Sequence, residues 1–293
     1  MVHIVGVHGI GQGGTGHRQV AEDWEGAILD GIDEIGVVLE QDFSFSLAYW
    51  TDLLSPDVRH LGPEDDPIDD GVPMSEAEAA FVVDMFTDRL GEDTVERIEQ
   101  APDEELGPPA MSPLVNRLIA ELDGWSKSEG RNEKRSVGGR LVRASREVYR
   151  YLFVPELARP VRDRVARNLA ENTSIVVAHS LGSVIAYDLL RGDEIPSGWG
   201  IRKRTLITCG SPLGFPTVRR ALGFEDGTIL DPLPGVHWVN VYDEKDVVTA
   251  GRGLDQEPFV IDEKVDNGLR DPHSARKYLR SEPMARTILA ADR

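Results

Sequence analysis

The side chains best placed to do chemistry are Ser180, Asp246 and His273, in that order along the chain. A serine hydroxyl is a weak nucleophile until a base takes its proton, and the base works best when an acid holds it in one tautomer. Ser180 lies within Ala178-His179-Ser180-Leu181-Gly182. The run Ser174-Ile175-Val176-Val177 reads as a buried strand, and residues 181–190 carry apolar side chains at helical spacing, which puts Ser180 at the tip of a strand-to-helix turn, the geometry of a nucleophile elbow. Such a turn needs small residues two before and two after the serine. Gly182 meets that need, and Ala178 stands where glycine is usual in GxSxG. The pentapeptide alone equally fits a strand-to-helix turn without chemistry, so partners elsewhere must decide.

The acid and the base have candidates downstream. His237-Trp238-Val239-Asn240-Val241-Tyr242 reads as a strand, and Asp243-Glu244-Lys245-Asp246 follows at its carboxyl end, where open α/β sheets place their sites. Asp246 is the candidate acid; the alternative is Asp243, which directly ends the strand and could serve only to hold the turn. His273 opens the terminal helix and is the sole histidine after His237, which makes it the candidate base. His8 and His179 sit beside motif residues and read as hydrogen-bonding neighbours of the site, while His17 and His237 have no better claim.

A tetrahedral oxyanion needs two backbone N–H groups, one from the residue after the nucleophile and one from a glycine-rich turn after an earlier strand. Leu181 supplies the first. The turn His8-Gly9-Ile10-Gly11-Gln12-Gly13-Gly14 supplies the second, with Ile10 preferred over Gly11. The same turn satisfies GxGxxG, but a dinucleotide fingerprint expects an acid about 20 residues on, and the available one, Asp52, stands 43 positions past Gly9. The pairs Asp65-Asp66 and Asp69-Asp70 lack the ligand spacing and closing glutamate of an EF-hand and read as a solvated loop. The single cysteine, Cys209, permits no intrachain disulfide and reads as a small buried strand residue.

These residues need a frame. Strand 2–8, a glycine-rich turn, a helix over 17–35 and a strand over 43–50 make a βαβ start, which favours a parallel sheet. A Pro-, Gly- and Asp-rich stretch at 55–73 marks a boundary. Ser75-Glu76-Ala77-Glu78 is a capping-box pattern, Ser75 as N-cap and Glu78 reaching back, ahead of the stripe Val82, Met85, Phe86 and Leu90. That helix is expected to pack on the domain below; the alternative is a lid that opens on lipid. Ser112-Pro113 opens another helix, and 136–153 and 156–171 continue the helical character. Alternation then resumes: strand 173–178, helix 181–191, strands 204–209, 236–242 and 257–261, and a closing helix over 273–290. The division expected is a core of 1–54 with 151–293, and a mainly helical acidic cap over 55–150.

Composition narrows the classes. The net charge of −19 argues against a broad nucleic-acid-binding surface. It is unevenly spread: residues 55–129 hold 20 acidic and 5 basic side chains, whereas 131–171 hold 11 basic and 5 acidic. A solvated acidic insertion in contact with an arginine-rich helical face is the plain explanation; peripheral membrane contact or a protein partner bound through the cap is the sharper one. No apolar run reaches membrane-spanning length, and the start lacks the pattern of a signal peptide, so a cytoplasmic protein is expected.

Taken together, His8-Gly9-Ile10-Gly11, Ala178-His179-Ser180-Leu181-Gly182, and Asp246-Val247-Val248 followed by His273 resemble the α/β-hydrolase superfamily in its lipase and esterase branch. Gly210-Ser211-Pro212-Leu213-Gly214 adds to the likeness, while Val247 replaces the proline common after the acid. The resemblance covers 1–50 and about 172–290. It implies an α/β fold with a mostly parallel sheet flanked by helices and a helical cap. It also implies a serine hydrolase cleaving a small-molecule or lipid carboxylic ester without metal or organic cofactor. Acyltransferases and thioesterases would share these residues, and a catalytically silent relative binding a lipid or a partner is the alternative of another class.

Overall fold

The structure is a computed structural model that describes residues 2–9, 15–37, 43–53, 73–100, 112–128, 136–169, 172–192, 204–227, 230–231 and 233–291. Six strands form one wholly parallel sheet: β1 (Val2–Val7), β2 (Phe43–Leu47), β3 (Thr173–His179), β4 (Arg204–Cys209), β5 (Val236–Tyr242) and β6 (Val260–Lys264), ordered β2-β1-β3-β4-β5-β6. The protein is thus of the α/β class, with helices on both faces of the sheet. Central strands of such a sheet are covered twice and read as continuous apolar runs; accordingly every residue of β4 is buried, and only Ser174 of β3 is not.

One face is covered by α1 (His17–Glu34), α9 (Ala275–Leu279) and α10 (Glu282–Ala291). Val20, Trp24, Ala27, Ile28 and Ile32 recur at helical spacing along α1 and join Tyr278, Met284 and Ile288 against the sheet. The other face carries α2 (Glu76–Leu90), α3 (Glu92–Glu99), α4 (Pro113–Ser128), α5 (Val137–Phe153), α6 (Pro155–Asn168), α7 (Leu181–Arg191) and the short α8 (Pro216–Ala221). Phe81, Val82, Met85 and Phe86 of α2 and Leu118 and Leu122 of α4 fall in one continuous apolar cluster with Val5, Val7, Leu206 and Trp238 of the sheet. The stripe on α2 is therefore spent on packing.

Three local expectations are revised. Ser75 caps α2, its Oγ accepting the amide of Glu78 at 3.1 Å, but the Glu78 carboxylate does not turn back; it meets Arg146 of α5 at 2.8 Å and Arg150 at 3.5 Å. A buried guanidinium outcompetes a cap amide that water can satisfy. The closing helix is two helices, because Ser281 caps a new start, its Oγ accepting the Met284 amide, and Pro283 suits a first turn. β6 runs three residues further than its apolar run, through Asp262, Glu263 and Lys264: as an edge strand it has one neighbour and tolerates polar side chains.

Arginines of the basic block meet carboxylates around them: Arg146 and Arg150 at Glu78, Arg164 at Asp52, Arg140 at Asp271 and Arg162 at Asp188. Among the described residues no helix is long and apolar enough to cross a membrane. The acid pairs at 65–66 and 69–70 lie outside the described residues.

Candidate active site

Sheet order reverses between β1 and β3, since the chain moves outward from β1 to β2 and then returns to the other side. In open α/β sheets that reversal leaves a crevice at the carboxyl ends of the two strands. Gly9 follows β1 and Ser180 follows β3, so both stand at this crevice.

Ser180 adopts φ 55°, ψ −133°, and its amide donates to the Cys209 carbonyl at 3.1 Å. A non-glycine residue held there stores on the order of 1–3 kcal/mol of strain. The surroundings enforce it. A Cβ on Gly182 would lie 2.2 Å from the Val7 carbonyl oxygen, and one on Gly9 would lie 2.6 Å from Ser180 Cβ, so only glycine lets the elbow approach β1 this closely. Behind the serine, the Ser183 hydroxyl reaches the Ser180 carbonyl oxygen at 2.5 Å and Ser211 Oγ at 2.7 Å. Ser211 Oγ in turn accepts the Leu213 amide at 3.2 Å.

His273 stands between the other two side chains. Its Nε2 is 3.0 Å from Ser180 Oγ and its Nδ1 is 2.7 Å from Asp246 Oδ2. A carboxylate at Nδ1 fixes the proton there and leaves Nε2 to accept from the hydroxyl. Asp246 is fully buried; its Oδ1 accepts the Val248 amide at 2.9 Å, and its Oδ2 also accepts the Tyr278 hydroxyl at 2.9 Å. Burial pushes this carboxyl up, but the His273 ring together with the Val248 and Tyr278 donors outweighs it and holds it below the usual range. Asp243 plays the holding part: its two oxygens accept the Lys245 amide at 2.8 Å and the Asn267 amide at 2.6 Å, and burial raises its pKa.

Tyr278 is a site residue that no sequence motif marks. It is wholly buried in α9, donates to Asp246, and accepts the Asp243 amide at 3.1 Å. Burial and the Asp246 charge drive its phenol far up, so it remains a donor. The only signal available was that a buried tyrosine needs a partner for its hydroxyl.

His179, His8, His17 and His237 take other places. His179 is buried with its pKa lowered to about 3, first by desolvation and then by the His273 charge; its Nε2–H donates to the His273 carbonyl at 3.0 Å. Its ring lies 4.7 Å from the His273 ring. His8 stacks on Trp50 at 5.1 Å, donates from Nδ1 to the Gly9 carbonyl at 2.6 Å, and accepts the Trp50 amide at Nε2. Burial lowers its pKa to about 4. His17 contacts the Leu47 carbonyl, and His237 is exposed near the amino end of β5, away from the crevice.

The Leu181 amide begins α7, whose first N–H groups have no intrahelical acceptor and whose dipole favours negative charge. Ile10 and Gly11, the candidates for the second donor, lie outside the described residues. Asp52 is paired with Arg164 at 3.2 Å. Cys209 is buried, and burial pushes its thiol up, which suits a structural role. Among the described residues no group of three or more His, Cys, Asp or Glu side chains is arranged to hold a metal ion. The chain matches no protein-family model, no curated protein and no solved structure, so what this site does must be read from its geometry.

Proposed function

We propose that the protein is a serine hydrolase of the α/β-hydrolase type that cleaves a carboxylic ester. The observation that carries this is the unbroken chain Ser180 Oγ, His273 Nε2, His273 Nδ1, Asp246 Oδ2, with separations of 3.0 and 2.7 Å across the two hydrogen bonds. Support comes from the strained φ of Ser180, which presents its hydroxyl at the strand end.

In this reading Ser180 Oγ attacks the ester carbonyl while His273 Nε2 takes the hydroxyl proton. The developing imidazolium is stabilised by Asp246. Negative charge on the carbonyl oxygen is met by the Leu181 amide, with a second donor expected from the 9–14 turn. The tetrahedral intermediate collapses, the alcohol leaves with the proton from His273, and an acyl-enzyme at Ser180 remains. Water, deprotonated by His273, attacks the acyl carbonyl; a second tetrahedral intermediate expels Ser180, which recovers its proton.

A panel of p-nitrophenyl esters of increasing chain length, run beside thioester and phospholipid substrates, tests the substrate class. The expected outcome is turnover of oxygen esters with kcat/KM highest among them. A higher kcat/KM on thioesters would replace the esterase reading by a thioesterase one.

A further inference from the structure

Two side chains of one short segment close on the same atom of Asp246. His273 Nδ1 lies 2.7 Å from Oδ2, and the Tyr278 hydroxyl, later in the same segment, lies 2.9 Å from it. A carboxylate oxygen has two lone pairs, and Oδ2 spends one on each donor, while Oδ1 takes the Val248 amide. The phenol carries a single hydrogen. Its oxygen already accepts the Asp243 amide at 3.1 Å, which leaves that hydrogen for Asp246.

The tyrosine is held in this position from several sides. Its ring is wholly buried, and a Cβ on Gly210, at φ 55°, would come within 3.1 Å of both Tyr278 Cε2 and His179 Nε2. The Tyr278 carbonyl accepts the Ser281 hydroxyl at 2.7 Å, and the His273 carbonyl accepts from His179. Both ends of the segment are thus tied down by groups other than Asp246.

Each hydrogen bond to a carboxylate draws off part of its charge, so a second donor on Oδ2 weakens the first. Without the phenol, more of the Asp246 charge would fall on the His273 ring, and the protonated ring would be held more tightly. Other charged or titratable groups face this pair. His179 comes from β3 and is kept neutral by burial, Cys209 ends β4, and Asp243 precedes Asp246 in its loop. From α5 come Glu147, paired with Arg143 at 3.1 Å, and Arg140, paired with Asp271 at 3.3 Å. Of these, Asp243 alone is hydrogen-bonded to Tyr278 among the described residues.

Resting on the hydrolase reading, we propose that Tyr278 is a positioning residue that shares Asp246 Oδ2 with His273, and so lets the base give up its proton at lower pH than Ser180, His273 and Asp246 alone would allow.

The test follows the rate of fluorophosphonate labelling across the pH range in which histidines titrate. It compares the unaltered protein, Tyr278→Phe, and protein in which Tyr278 is replaced by 3-fluorotyrosine. Ser180 loses its proton only to a neutral His273 ring, so the rate climbs with pH. In Tyr278→Phe the half-maximal pH should rise by about half a pH unit or more, a fraction of what one hydrogen bond to a charged group is worth. Fluorine makes the phenol a stronger donor, and the half-maximal pH should then fall. A merely structural role would lower the rate at every pH and leave the half-maximal pH in place. No rise in Tyr278→Phe, or a rise lost in the Asp243→Asn background, overturns the proposal and leaves the hydrolase reading standing. No labelling of the unaltered protein at any pH brings down that reading and the proposal with it. Should Tyr278→Phe not fold, the fluorinated protein decides: a fall supports the proposal, and no change or a rise overturns it.

Discussion

At His273 the two ring nitrogens divide the work: Nδ1 gives its hydrogen to Asp246 and Nε2 is left to accept from Ser180. Asp246→Asn would offer an amide where a carboxylate stood and favour the wrong tautomer, so kcat on a p-nitrophenyl ester should fall by about ten-thousand-fold. Asp243→Asn, which disturbs only turn amides, should lose no more than about tenfold, the scale of modest misplacement. Equal losses in two variants with unchanged circular dichroism would contradict the assignment of roles. Ser180, Asp246 and His273 could be picked out from sequence because each follows a recognisable strand or opens a helix. Tyr278, Ser183 and the His179 bond to the His273 carbonyl could not, since those partners depend on how α9, α7 and the loop at 273 approach one another. Asp243 and Asp246 share one short loop, and only the placement of Asn267 and Tyr278 separates them.

At the level of elements, legibility followed burial. The sequence pattern reaches the observed ends of β4 and α7 because their apolar run and helical spacing persist to the last buried residue. The apolar run at 257–261 does not mark β6, because an edge strand need not be apolar, and the helical pattern over 273–290 hides a break because Ser281-Glu282-Pro283 is a restart within it. Glu78 shows where local and tertiary demands part. Its side chain and that of Arg146 are only 8 % and 6 % exposed, and removing one member of such a pair leaves a buried charge uncompensated. Glu78→Ala should therefore lower unfolding stability by about 3–5 kcal/mol. Glu121→Ala, at the exposed pair with Arg97, should cost less than about 1 kcal/mol. Urea denaturation measures both, and equal effects would refute the account of α2 and α5.

For the molecule as a whole, the site depends on closure from both faces of the sheet. Tyr278 comes from the α1–α9–α10 side, while α5 and α7 come from the side with the larger cluster. α5 brings Arg140 to Asp271, two residues before His273, so a cation stands beside the loop that carries the base. An elbow made tight by Gly182 and Gly9, with Asp246 and His273 brought to it by later loops, forms one hydrogen-bonded arrangement, and the proposed function requires that Ser180 be reactive. Labelling with a fluorophosphonate probe tests it most directly. One covalent adduct is expected, mapped by mass spectrometry to Ser180 and absent in Ser180→Ala; no labelling beside a reactive control hydrolase, or labelling that survives Ser180→Ala, would refute a nucleophilic Ser180.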